Sequence, residues 1–271
     1  MSRPLVMSPE AFDFVCRSVD DFRRSGPFNH LVVENFFEPG LAERLSAEFP
    51  AYGSEKWFTY ANSIENKKAL NNWNEFPAET YASFSALNAP DTVAMIAALT
   101  GVPMFPDPGL HGGGWHMHGE GGNLNPHLDY SLHPKLGLQR KINIIVYLEE
   151  GLEDADGGHL GLWEASADRM APGRLVKEVQ PRFNRAIIFD TSQDSWHGMS
   201  RALTLKPGKL RKSHAIYYLC RPEGDVDPRQ RALFAPRENQ MGDKAVEALI
   251  RARADVVQSR DVYRQAPDGG S

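Results

Sequence analysis

The chain has 271 residues, 41% hydrophobic and 24% charged, with a formal net charge of -5. That describes one ordinary globular domain with room for a sizeable core; no basic cluster points to nucleic acid, and no apolar run can span a bilayer. Two distant cysteines, Cys16 and Cys220, offer no disulfide framework, and MSRPLVMSPEAFDF lacks a signal-peptide profile, so a cytoplasmic setting is expected.

In chain order, Ser8-Pro9-Glu10 reads as a capped helix start. Phe12, Val15, Val19 and Phe22 then recur at helical spacing, one apolar face running to about Arg24. His30 to Val33 reads as a short strand. Pro39 restarts a helix with Leu41, Leu45 and Phe49 on one face. A further helical pattern runs from about Ala78 to Leu99, interrupted near Asn88 to Pro90. From about Val102, Gly- and Pro-rich turns separate short β-branched and aromatic runs, the look of an all-β core. Ile142 to Leu148 is apolar on both faces and predicts a buried central strand, and Arg185 to Phe189 and His214 to Leu219 read the same way. After Arg221 helical spacing returns with Val246, Leu249, Ile250 and Arg253, and the final APDGGS is expected to be disordered. The expected plan is a single domain, 1-271: a mainly helical part over 1-101, a β core over about 102-220 and a helical extension over 221-271. No repeat or linker divides it.

The informative stretch is GGNLNPHLDY. Residues two apart on a strand face the same side, so His127 and Asp129 present an imidazole and a carboxylate together. A second imidazole would complete the two-His, one-carboxylate set that leaves metal positions open in Fe(II) oxygenases. Of nine histidines, His197 is the best placed, following the strand RAIIFD and a short polar turn. Taken alone, an HxD pair is weak evidence, because such pairs arise by chance and often sit on the surface. Fourteen residues beyond His197, Arg211 opens the last strong strand, sharing a face with Ser213, Ala215 and Tyr217. A guanidinium binds a carboxylate through two parallel hydrogen bonds, which a lysine cannot reproduce. The competing reading is a surface arginine in the basic turn Lys209 to Lys212.

Taken together, GGNLNPHLDYSLHP, RKINIIVYLEE, GGHLGLWEAS, FNRAIIFDTSQDSWHG and RKSHAIYYL resemble the prolyl-hydroxylase-like branch of the 2-oxoglutarate/Fe(II) dioxygenases. The likeness runs from Pro27 to about Leu219. It implies a double-stranded β-helix (a jelly-roll or cupin-like core) and Fe(II) on His127, Asp129 and His197. It also implies 2-oxoglutarate on Arg211, O2 as the oxidant and ascorbate as a stimulant. Hydroxylation with release of succinate and CO2 is the implied outcome. In related halogenases Gly or Ala replaces the metal carboxylate; Asp129 is present, which disfavours that chemistry.

Ser213, Asn143 and Tyr147 are candidate contacts for 2-oxoglutarate. Trp115, His116, His118, Tyr130, Trp163 and Trp196 are candidates for a substrate pocket, with core packing as the competing reading of each. His133 and His159 read as structural, and Gly157-Gly158 as a turn, not a phosphate cradle. Rival functions are desaturation or cyclisation on the same iron, a zinc-dependent hydrolase, or a non-catalytic binding protein. The family acts on amino acids, prolyl residues in peptides, sugars and other small metabolites. Neither the choice among them nor the oligomeric state is written in the sequence.

Overall fold

The computed structural model describes residues 2-191, 194-222, 224, 226-260 and 262. Its helices are α1 (Pro9–Arg17), α2 (Val19–Arg24), α3 (Leu41–Ala47), α4 (Ala78–Leu87), α5 (Pro90–Thr100) and α6 (Lys244–Ala254). Its strands are β1 (His30–Val33), β2 (Phe58–Ala61), β3 (Glu65–Leu70), β4 (Phe105–Pro106), β5 (Gly114–His118), β6 (Asn123–Leu124) and β7 (His127–Leu128). They continue as β8 (Gln139–Tyr147), β9 (Leu160–Ala165), β10 (Pro172–Val179), β11 (Ala186–Asp190), β12 (Trp196–Met199), β13 (Arg211–Cys220) and β14 (Leu233–Phe234).

The first helix starts where its capping chemistry says. The Ser8 hydroxyl accepts from the Ala11 amide at 3.1 Å, and Pro9 takes the first turn, where its missing N–H costs nothing. The expected continuous helix to Arg24 is two helices instead, because Ser18 leaves the helical region at φ -99°, ψ 22°. Val15 and Phe22 remain on one buried face across that break. The interruption between α4 and α5 falls at Asn88 and Ala89, with Pro90 opening the second helix.

The strands form two antiparallel sheets. The larger runs β1-β11-β8-β13-β5-β3-β2, with β4 and β6 attached to β13 and β3; the smaller runs β10-β9-β12-β7-β14. One face of the larger sheet (Ile142, Ile144, Val146, Ile216, Tyr218, Trp115) packs on Phe22, Leu45, Phe84 and Ile96 of the helices. Each such fully buried side chain contributes about 1.5–3 kcal/mol of hydrophobic stabilisation. The other face looks across a cavity of about 380 Å³ at the smaller sheet. This is the expected jelly-roll core flanked by helices.

Two boundaries differ from the expected plan. The part before residue 102 is not helical alone: β1 pairs with β11, and the β2–β3 hairpin joins β5, so the larger sheet begins well upstream. The turn before ENKKAL is closed by the Asn62 side-chain Oδ1 accepting from the Ile64 and Glu65 amides, and Glu65, Lys67 and Ala69 alternate onto the cavity side. The C-terminal part contributes strand β14, paired with β7, before α6. Val246 of α6 packs on Ile64 and Phe234, tying that helix to the hairpin. APDGGS lies outside the described residues. No described helix is long and apolar enough to cross a membrane.

Candidate metal centre

His127 and His197 face each other as direct partners on β7 and β12, their ring centroids 4.3 Å apart. Asp129 follows on the same side of its chain. Among the described residues, these three alone form a group able to hold a metal ion, with their ligand atoms all within 4.8 Å of one another. Both imidazoles are oriented alike. Nδ1 of His127 bonds the Asn125 carbonyl at 2.9 Å, and Nδ1 of His197 bonds the Ser195 carbonyl at 2.8 Å. A carbonyl accepts only from N–H, so each Nε2 is left as a lone pair turned to the centre.

Electrostatics agrees with a ligand set. Burial, with His197 beside it, pushes His127 down to about 3; burial likewise lowers His197. Burial alone would raise Asp129, but Arg140 and the two imidazoles outweigh it and hold the carboxyl down at about 2. The group is therefore two neutral imidazoles and a carboxylate, and the 3.7 Å separations from Asp129 to each Nε2 are not ion pairs. Asp129 Oδ2 is buried and accepts no hydrogen bond. An unpaired buried acceptor costs about 1–3 kcal/mol, and a divalent cation is the partner this donor set fits.

Arg140, missed in the sequence, lies 3.4 Å from Asp129 Oδ1. Its guanidinium is sandwiched 3.5 Å from the Tyr130 ring centroid and 3.3 Å from that of Tyr217, and donates to the His111 carbonyl at 2.5 Å. By alternation Arg140 belongs on the helix side with Ile142 and Ile144. A bulge alters this: Tyr218 pairs with Ile142 but Leu219 with Arg140, so Lys141 is the extra residue and Arg140 turns inward. The only sequence signal was a charged pair heading an apolar strand.

At the other end of the cavity, Arg211 is buried, donates Nε–H to the Gly158 carbonyl at 2.9 Å and lies over the Tyr147 ring at 4.8 Å. The rest of its fork is turned to the cavity that the triad lines. Ser213 is the cross-strand partner of Tyr147 and His116, and Arg211 that of His118. Asn143 Oδ1, both ring nitrogens of His118 and the Tyr147 hydroxyl are buried without a completed hydrogen bond. A dicarboxylate with a chelating keto-acid end fits between Arg211 and the triad, where the Tyr147 hydroxyl and one N–H of His118 can donate to it.

The substrate candidates divide. His116, His118 and Tyr130 line the cavity, His118 at the Arg211 end. The structure corrects the other three, which do not line it. Trp115 alternates with His116 and faces the helices, donating its indole N–H to His214 Nε2 at 2.7 Å. Trp196 and Trp163 pair across β12 and β9 and pack with Leu128 on the outer side of the smaller sheet. Beside a ligand in sequence means opposite it on a strand. The sequence also missed a second cavity wall: Phe58, Tyr60, Glu65 and Lys67 of the hairpin, with Arg231, Phe234 and Arg253 from the C-terminal part.

Comparison with known proteins agrees with this geometry. The sequence profile of the 2OG-Fe(II) oxygenase superfamily matches residues 113–223, the span that holds the triad, Arg140 and Arg211. A prolyl 3-hydroxylase, OGFOD1 of Xenopus laevis, is 33% identical over 107 residues, 38% of this chain and 20% of that protein. The chain thus spans about a fifth of the length of that curated relative. Among solved structures, a Pseudomonas putida prolyl-4-hydroxylase superposes with a TM-score of 0.51 at 20% identity, covering 77% of this chain and all of that one. A Trichoplax adhaerens prolyl hydroxylase, solved with a hypoxia-inducible-factor peptide, gives 0.55 at 16% identity over 77% of this chain and 90% of the other. Over residues 113–223 the chain is similar to the 2OG-Fe(II) oxygenase superfamily. Its fold is that of the prolyl hydroxylases.

Proposed function

We propose that this protein is a 2-oxoglutarate-dependent hydroxylase, with Fe(II) held by His127, Asp129 and His197 and the far carboxylate of 2-oxoglutarate held by Arg211. The observation that carries this reading is one cavity with the three ligand atoms within 4.8 Å of one another and a buried guanidinium lining the same space. When bound, the iron and 2-oxoglutarate together would supply an oxidant able to attack an unactivated C–H bond, with succinate and CO2 released. The chain's own residues bind and orient. Asn125 and Ser195 fix the imidazole tautomers, Arg140 keeps Asp129 ionised, and Arg211 with Tyr147 and Ser213 sets the reach of the co-substrate. Asn143 and His118 would pair its remaining oxygens. The two sheets exclude water from the reacting atoms.

The substrate would be a small polar molecule or residue, such as an amino acid, a prolyl residue or a sugar. A zinc-dependent hydrolase has no use for Arg211 and the unpaired donors beside it. The β core and both flanks are read as one domain. A cytoplasmic setting is read from the two cysteines, Cys16 and Cys220, far apart in sequence and without a disulfide framework.

The test is anaerobic titration of the purified protein with Fe(II) and 2-oxoglutarate, followed by succinate formation on admitting O2. Wild-type protein is expected to bind both and to form succinate only when both are present. Arg211→Ala is expected to weaken 2-oxoglutarate about 100-fold, the order for a lost bidentate, buried carboxylate contact. Failure of the wild type to bind Fe(II) would overturn the reading, and unchanged affinity in Arg211→Ala would remove that residue from it.

A further inference from the structure

We propose that the substrate is an organic oxyanion, a small molecule carrying a carboxylate or a phosphate, whose charge docks against Lys67 on the hairpin wall. This rests on the function proposed above and names the substrate class of the same site.

Charge accounting leads there. Five cationic side chains line the cavity against two anionic ones, Glu65 and Asp129. Arg140 is taken up by Asp129 at 3.4 Å, and Arg253 by Glu65 at 2.8 Å. Arg211 faces the co-substrate position. Lys67 is the lining cation that loading does not cancel, because Fe(II) and 2-oxoglutarate carry equal and opposite charge.

The Lys67 ammonium approaches Glu65 only to 3.9 Å, beyond hydrogen-bond reach, and lies 5.0 Å from the Tyr60 ring centroid. Glu65 is itself fully buried and already engaged by Arg253. The Lys67 side chain is 15% exposed, so little solvent compensates its charge. A neutral substrate would shut it away from water without a partner, and a cationic one would repel it; an oxyanion supplies the three acceptor directions an ammonium can use. Lys67 lies beside His118 in the sheet, where β3 pairs with β5, and shares the cavity with the triad. An anchored oxyanion would hold a neighbouring C–H bond there.

The experiment uses the full chain loaded with Mn(II), a redox-silent stand-in, and saturating 2-oxoglutarate. Calorimetric titration then compares matched probes: N-acetyl amino acids against their amides, and sugar phosphates against the free sugars. At least one anionic set is expected to bind about tenfold or more tighter than its neutral partners, and which set does so separates carboxylate from phosphate. Lys67→Gln is expected to bring the two members of each pair level while still binding 2-oxoglutarate, and Lys67→Arg to keep the preference. Neutral probes binding as tightly as anionic ones, no anion binding at all, or a full preference surviving in Lys67→Gln would each overturn the inference. If the Mn(II)–2-oxoglutarate complex itself does not form, the proposed function has failed; if it forms without anion preference, only the substrate class has.

Discussion

The two walls of the cavity have different origins. One is built by β5, β7, β8, β12 and β13 inside the matched span 113–223, and its polar side chains surround the triad and Arg211. The other comes from the β2–β3 hairpin and from residues 230-253, outside that span, and presents Glu65, Lys67 and Arg253 with the rings of Tyr60 and Phe234. The first wall carries the residues proposed to hold metal and co-substrate. The second has an ionic pattern that the chemistry does not require. Reaction type and selectivity are thus separable along the chain, and substitutions in the two walls should fail in different ways.

The largest effect is expected in the first wall. Asp129→Ala removes one of the three proposed ligands and the only charged one. Substrate-linked succinate formation should fall at least about 1,000-fold, since metal-centred charge stabilisation amounts to several kcal/mol. Iron binding in anaerobic dialysis should weaken in parallel. Full activity in this variant would erase the distinction between the walls, because the centre would then lie elsewhere.

That first wall was largely legible in the sequence, and the second was not. His127, Asp129 and Arg211 follow from strand alternation, and His197 from its place after a strand and a turn; local rules suffice because each ligand sits on or beside a β-strand. Arg140 escaped because a one-residue bulge at Lys141 reverses its face, and nothing in RKINIIVYL announces a bulge. Lys67 escaped because nothing local in ENKKAL marks it as a cavity wall; the partner that holds Glu65 there, Arg253, is 188 residues away. For the three tryptophans the competing reading, core packing, is the one the structure shows: strand alternation turns Trp115 toward the helices and Trp163 and Trp196 to the outer side of the smaller sheet.

A mid-sized effect should come from the second wall. Arg253 is the 2.8 Å partner of a fully buried carboxylate, so Arg253→Ala leaves Glu65 with Lys67 at 3.9 Å as its nearest remaining ammonium. Breaking a buried pair from one side costs several kcal/mol; with Lys67 able to close in, roughly 2–3 kcal/mol of stability is expected to go. Denaturant unfolding would measure it, with 2-oxoglutarate affinity as the control. A large loss of 2-oxoglutarate binding instead would mean that the walls are not separable.

The smallest effect tests the back of the first wall. His214 points away from the cavity, accepts the Trp115 indole N–H on Nε2 and stacks on Phe84 with ring centroids 4.7 Å apart. Burial holds it down at about 3 against an ordinary 6.5. The folded state therefore refuses a proton that the unfolded chain accepts. Stability is whole above pH 6.5 and is lost as pH falls toward 3, by up to about 1.4 kcal/mol per pH unit for each such histidine. His214→Gln keeps a carbonyl acceptor for the indole but has nothing to titrate. It should start somewhat less stable at pH 7, having lost the stacking, and should then decline less steeply on acidification, by about one histidine's slope. Unfolding free energies of the metal-free protein at pH 7, 6 and 5 would measure both. Parallel lines for variant and wild type would mean that His214 takes up its proton in the folded protein, and that its side of the sheet is less sealed than its packing against Trp115 and Phe84 implies.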